Sequence, residues 1–166
     1  MYEEIVKTLK EIGIIEQRKS TGVSGIPLEF YVDFKKAYSN PELISIISKE
    51  LISKIPYGTT CVAVTGHGGL ALGGVISVMA GIKLSMIRKD KKDHGLAKLI
   101  DGYIPSNNDK VFVVDDVFTT GKSIRTMHEV LSKTGASIIG NFVIVKRSEN
   151  SIPPTWGYLI DVKDLL

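Results

Sequence analysis

A chain of 166 residues has room for one domain of ordinary size, and its make-up, 43% hydrophobic and 23% charged, excludes disorder, collagen and coiled coil. Lys and Arg outnumber Asp and Glu by 21 to 18, an excess of +3 too small to indicate nucleic-acid binding, so any basic chemistry must be local. The single cysteine, Cys61, allows neither an intrachain disulfide nor a cysteine-cluster metal site and points to the reducing cytoplasm.

The N-terminus MYEEIVKTLKEIG mixes charged and apolar residues and lacks the basic start and apolar centre of a secretory signal, so the mature chain is expected to begin at Met1. It predicts a helix over residues 2–12. The Gly- and Ser-containing stretch 19–27 and the strand-like EFYVD follow. With the first helix they are expected to form a small hood outside the main sheet, over the ligand site. Ser39-Asn40-Pro41-Glu42 is a strong helix start, because Asn40 can cap, Pro41 suits the first helical position and Glu42 complements the dipole. A helix over 41–53 is predicted.

Four β-prone runs come next: CVAVT (61–65), LSMI (84–87), VFVV (111–114) and IIGNFVIV (138–145). Three of them are continuous enough to be buried on both faces, as parallel strands are. Between them lie predicted helices over 70–80 and 123–134, the second with Ile124, Met127 and Leu131 on one face and Gly135 as its stop. The longest uncharged stretch, 66–82, carries six glycines and His67. It is shorter than the roughly 20 apolar residues that span a bilayer and reads as a buried helix, not a membrane segment. Beyond Pro153-Pro154, WGYLIDVKDLL predicts an edge strand and a short tail. The alternation predicts an α/β fold, a mainly parallel central sheet flanked by helices. One domain is expected, with about 1–40 as hood and about 41–166 as core and C-terminal edge.

The segment VFVVDDVFTTGKS, residues 111–123, carries the strongest chemical signal: a buried strand, two acids at its carboxyl end, and a hydroxyl-rich, Gly-containing turn opening a helix. Ligands of open α/β sheets sit at such ends. Backbone amides at the helix start, with the hydroxyls of Thr119, Thr120 and Ser123, make a cup for a phosphate, and Lys122 can add a charge. Asp115 and Asp116 would repel that phosphate, so they suit sugar hydroxyls or magnesium held through water. A phosphorylated ribose fits the combination. A Walker A motif would need a glycine where Asp116 stands. A dehalogenase-like phosphatase would need acids two apart, and a receiver domain would carry its acid pair after the first core strand. The plain alternative is a strand end followed by a helix cap.

This segment resembles the phosphoribosyl pyrophosphate motif of type I phosphoribosyltransferases. In that family the two acids grip the ribose hydroxyls and the following turn, here Val117, Phe118, Thr119, Thr120, Gly121, Lys122 and Ser123, holds the 5-phosphate. Residues 88–95, RKDKKDHG, resemble the mobile catalytic loop of orotate phosphoribosyltransferases. The resemblance implies that Arg88, Lys89 and Lys92 contact the pyrophosphate of the donor and that His94 lies near the reacting groups. It further implies a homodimer, each loop reaching the neighbouring subunit's site, and Mg2+ bound mainly through the substrate. Lys92, His94, Asp115 and Asp116 are then the candidate catalytic residues. Read on its own chemistry, the loop is either a partner for an anion or a solvated basic stretch.

The glycine turn TGHGG, with Thr65, Gly66, His67 and Gly68, ends the first core strand and would lie beside the acid pair if the strand order reverses between the two. In the family this loop binds pyrophosphate, and some members carry a lysine where this chain has His67 and glycines. A dinucleotide fingerprint is the rival reading of Gly66-x-Gly68-x-x-Ala71, but it leaves the acid pair and threonines unexplained. For the base, Arg147 after the fourth strand is similar to an arginine that holds the orotate carboxylate, a bidentate task. Thr119 also falls at the base. Phe30 or Tyr31 matches an aromatic that covers the base, and Lys19 a base-proximal lysine. The expected activity is phosphoribosyl transfer to orotate. A purine-base enzyme and a non-catalytic sensor of phosphoribosyl pyrophosphate remain as alternatives.

Overall fold

A computed structural model of the chain describes residues 1–17, 30–88, 99–147, 152–153 and 155–166. Five strands, β3 (Cys61–Thr65), β4 (Lys83–Ile87), β6 (Lys110–Phe118), β7 (Ser137–Lys146) and β8 (Trp156–Asp161), run parallel, and β5 (Ile100–Gly102) closes one edge antiparallel to β4. The order across the sheet is β5-β4-β3-β6-β7-β8. Every position of β3 is buried, as are residues 111–115 of β6. Unbroken burial of this kind requires cover on both faces.

Helices supply the cover, and the two-residue period of the strands sorts the core between them. Val62, Val64, Phe112, Val114, Phe142 and Ile144 face α1 (Tyr2–Ile12), α2 (Pro41–Ile52) and α3 (Gly66–Ala80). Cys61, Ala63, Val111, Val113 and Val143 face α4 (Lys122–Leu131) through Ile124, Met127, Val130 and Leu131. The α2 start follows its sequence signal: Asn40 Oδ1 accepts the Leu43 amide at 3.0 Å and Pro41 takes the first helical position. After α4 a 3-10 turn, Ser132–Thr134, runs into Gly135 at φ 80°.

The N-terminal segment lies outside the six-stranded sheet, where β1 (Ile15–Glu16) and β2 (Tyr31–Val32) form an antiparallel ribbon followed by a 3-10 turn, Phe34–Ser39. It is no detached cap, because Ile5, Leu9, Val32, Phe34 and Ala37 are buried in the same cluster as α2 and the sheet. The C-terminal run forms edge strand β8, as expected, and buries Val162 and Leu165 beyond it.

Two boundaries at the site differ from the sequence reading. β6 does not stop at Val114 but carries both aspartates and ends at Phe118, because Val117 and Phe118 still pair with Val145 and Lys146. α3 starts four residues earlier than its apolar pattern suggests, at Gly66, so the glycine turn is its first turn.

Candidate active site

The chain leaves β3 toward β4 on one side, while β6 pairs with β3 on the other. This reversal opens a crevice at the carboxyl ends of β3 and β6, the general ligand position of open α/β sheets. α3 and α4 start there, and neither has a side-chain cap. Thr65, in the capping position of α3, instead donates its hydroxyl to Ile87 O at 2.7 Å. Among the described residues nothing hydrogen-bonds the amides of His67 and Gly68 or of Lys122, Ser123 and Ile124. Two sets of unsatisfied donors at two positive helix ends therefore border one crevice, a setting for anions.

The acid pair stands between them. Asp115 is 6% exposed, and its Oδ1 accepts the Asp116 amide at 3.0 Å. Asp116 Oδ1 accepts the Val117 amide at 2.9 Å. The carboxylates reach across to the first turn of α3: Asp115 Oδ1 lies 3.5 Å from where a Cβ of Gly69 would be, and a Cβ on Gly68 would overlap Asp116 Oδ2. Only a glycine fits at 68, so the sequence GHGG is matched to the acids opposite.

On the α4 side, Asp115, Val117, Phe118, Thr119, Gly121, Lys122, Ser123 and Ile124 line a cleft. Thr120 is exposed at its edge. Gly121 has φ 72°, and a Cβ there would come within 2.9 Å of the Phe118 ring. Phe118 is braced edge-on by Trp156 at 5.7 Å, so the cleft floor is aromatic and fixed. Trp156 thus packs the C-terminal strand against this wall, where His128 bonds Asn141 at 2.6 Å.

Arg147 begins where β7 ends, its amide bonded to Phe118 O at 2.9 Å, which places it beside Thr119. Its guanidinium donates to Phe30 O at 2.6 Å and sits 5.3 Å over the Phe30 ring. Two of the candidate base-binding residues are therefore in contact. Tyr31 is one residue on in β2, with Lys35 Nζ 5.8 Å over its ring. Arg88, directly after β4, forms a two-point pair with Asp101 of β5, Nε to Oδ2 at 2.7 Å and NH2 to Oδ1 at 2.9 Å. That contact holds the Asp101 carboxyl below its ordinary value. Lys19, Lys89, Lys92 and His94 lie outside the described residues.

One contact had no sequence signal. Tyr38, in the 3-10 turn before α2, donates its hydroxyl to Gly68 O at 2.6 Å. Thirty positions separate the two residues, and an apolar-looking tyrosine before a helix reads as core. Burial pushes its phenol up in pKa, the nearby Asp116 charge adds to that, and the Leu72 amide opposes it.

Among the described residues no group of three or more His, Cys, Asp or Glu could hold a metal ion. Asp115 and Asp116 offer two adjacent carboxylates, a set suited to a metal held chiefly by its ligand and touched through water. No helix among the described residues is long and apolar enough to cross a membrane.

Comparison with known proteins bears on this geometry. The model of the phosphoribosyl transferase domain matches residues 37–159. Over 154 residues the chain is 35% identical to the orotate phosphoribosyltransferase of Pyrococcus abyssi, covering 91% of this chain and 84% of that one. The crystal structure of orotate phosphoribosyltransferase from Aeropyrum pernix superimposes with a TM-score of 0.80 at 24% identity, over 98% and 96% of the two chains. That of the Mycobacterium tuberculosis enzyme in complex with 5-phospho-alpha-D-ribosyl 1-diphosphate gives 0.76 at 18% identity, over 99% and 91%. These similarities show the type I phosphoribosyltransferase fold.

Proposed function

The chain belongs to the orotate phosphoribosyltransferase family, and from that membership we propose that it transfers the 5-phosphoribosyl group of phosphoribosyl pyrophosphate to a ring nitrogen of orotate. The products are orotidine 5-phosphate and pyrophosphate, a step of pyrimidine synthesis. The observation that carries the reading is the pair of uncapped helix starts flanking Asp115 and Asp116.

In this account the 5-phosphate lies on the amides of residues 119–123, with the hydroxyls of Thr119, Thr120 and Ser123 around it. Asp115 and Asp116 accept hydrogen bonds from the ribose diol and fix the ring. The first turn of α3, with Thr65, Gly66, His67 and Gly68, receives the pyrophosphate. As that group leaves the anomeric carbon, negative charge grows on it and positive charge on the ribose. Amides at the former and carboxylates near the latter favour the transition state over the ground state. Arg88, Lys89, Lys92 and His94 are assigned to the departing pyrophosphate by the resemblance of their loop. Asp115 and Asp116 would hold, through water, a magnesium ion carried with the donor, which would neutralise phosphate charge when bound. Arg147 and Thr119 would hold orotate, with Phe30 or Tyr31 covering it and Lys19 nearby. A cytoplasmic homodimer is part of the proposal.

The test is an assay of the purified protein with orotate, phosphoribosyl pyrophosphate and magnesium, followed by loss of orotate absorbance. Steady loss with release of pyrophosphate supports the reading. Turnover of a purine base instead keeps the reaction class and rejects orotate; donor binding without turnover of any base would make the protein a sensor.

A further inference from the structure

We propose that Tyr38 is a positioning residue for the donor: through its hydroxyl it sets the peptide between Gly68 and Gly69 and so holds the pyrophosphate turn at the distance from Asp116 that the donor requires. The inference rests on the reading that this turn takes the pyrophosphate, and it goes beyond that reading by naming a residue outside the crevice that controls it.

The hydroxyl of Tyr38 donates to Gly68 O at 2.6 Å. In a regular helix that carbonyl would receive the amide four residues on, that of Leu72. The Tyr38 hydroxyl is a further donor to this carbonyl, reaching it from outside the helix. In a planar trans peptide the N–H points opposite to the C=O. Holding Gly68 O at Tyr38 therefore fixes the orientation of the whole peptide, the Gly69 N–H included. Gly68 itself is against Asp116, with no space for even one added carbon. A shift of this peptide would move the turn against the carboxylate.

Tyr38 is well supported for such a role. Its ring packs edge-on to the buried Phe34 at 5.9 Å, and the turn that carries it is followed at once by the Asn40 cap of α2. The hydroxyl is thus held by packed elements on one side and acts on the glycine-rich start of α3 on the other.

The test is Tyr38→Phe, which keeps the ring and removes only the hydroxyl. Calorimetric titration of the full chain with phosphoribosyl pyrophosphate and magnesium reads donor affinity independently of any base, and steady-state kinetics with orotate separates the two substrates. The expected result is donor affinity weakened about tenfold and KM for the donor raised in step, with KM for orotate within twofold and the melting temperature within a few degrees of wild type. Equal donor affinity in variant and wild type overturns the positioning role while the proposed function stands. A fall in melting temperature with unchanged donor affinity also overturns it, since a purely structural hydroxyl would give that result. Failure of the wild-type chain to bind the donor overturns the underlying reading as well.

Discussion

Gly68 faces Asp116 so closely that the two cannot both keep their places once a side chain is added. Gly68→Ala should therefore leave the sheet intact but displace either the turn or the carboxylate. The expected result is kcat/KM for the donor lower by 100-fold or more, with near-ultraviolet circular dichroism like that of wild type. Asp115→Asn keeps the shape of a buried side chain and removes its charge, and loss of one preorganised polar contact of this kind costs about 100- to 1000-fold in rate. Steady-state assays at saturating orotate check both. The acid pair and the threonines were legible in the sequence because their chemistry is unusual and their spacing is local. The glycine turn was expected beside the acids if the strand order reversed, but that Gly68 in particular meets Asp116, 48 positions away, was not legible, because only the β3–β6 pairing fixes that contact. Arg147 shows the same limit from the other direction. Its place after β7 was readable, whereas its hydrogen bond to Phe30 O, 117 positions away, was not.

The turn between β6 and α4 joins stability to binding. Gly121 adopts a left-handed backbone, and its missing side chain is what lets Phe118 and Trp156 close beneath it. Gly121→Ala should cost about 1–2 kcal/mol from the backbone alone, roughly 2–8 °C in Tm for a chain of this size, and more if the aromatic floor has to move. Thermal unfolding measures the first effect. Calorimetry with the donor should show the second as weakened binding, because the amides of the turn are displaced. The central strands were easy to read, since parallel strands covered on both faces leave unbroken apolar runs. β5 and β1 were not, because two or three residues show no period, whereas β2 falls within the strand-like EFYVD. The end of β6 was misjudged because charged residues usually end a buried strand, whereas here Asp115 is retained inside the sheet for the site.

The two ends of the sheet divide the work. Opposite the crevice, before β6, Asp109 accepts from the Thr60 hydroxyl at 2.8 Å, the Tyr103 hydroxyl at 2.8 Å and the Ser106 amide at 2.8 Å, with Lys83 Nζ at 3.8 Å. It thereby ties together the amino ends of β3, β4 and β6 and the exit of β5. Burial raises the carboxyl's pKa, but the hydrogen bonds from Ser106, Tyr103 and Thr60 outweigh it and hold the group well below its ordinary value of 3.8. A folded-state value below the unfolded one means stabilisation that is present above about pH 4 and is lost as the pH falls from there toward the folded value. Thermal unfolding between pH 2 and 7 should show Tm falling on the acid side in wild type and falling less in Asp109→Asn, which is less stable at neutral pH. Activity at neutral pH should follow the folded fraction only, because Asp109 is at the end of the sheet away from the crevice.

The work of the other end can be seen in a crystal structure of the chain with phosphoribosyl pyrophosphate and magnesium. The 5-phosphate is expected on the amides of residues 119–123, the ribose diol within hydrogen-bond distance of Asp115 and Asp116, and the pyrophosphate at the first turn of α3. Donor density anywhere else, or a bound ribose that neither aspartate touches, would contradict that placement.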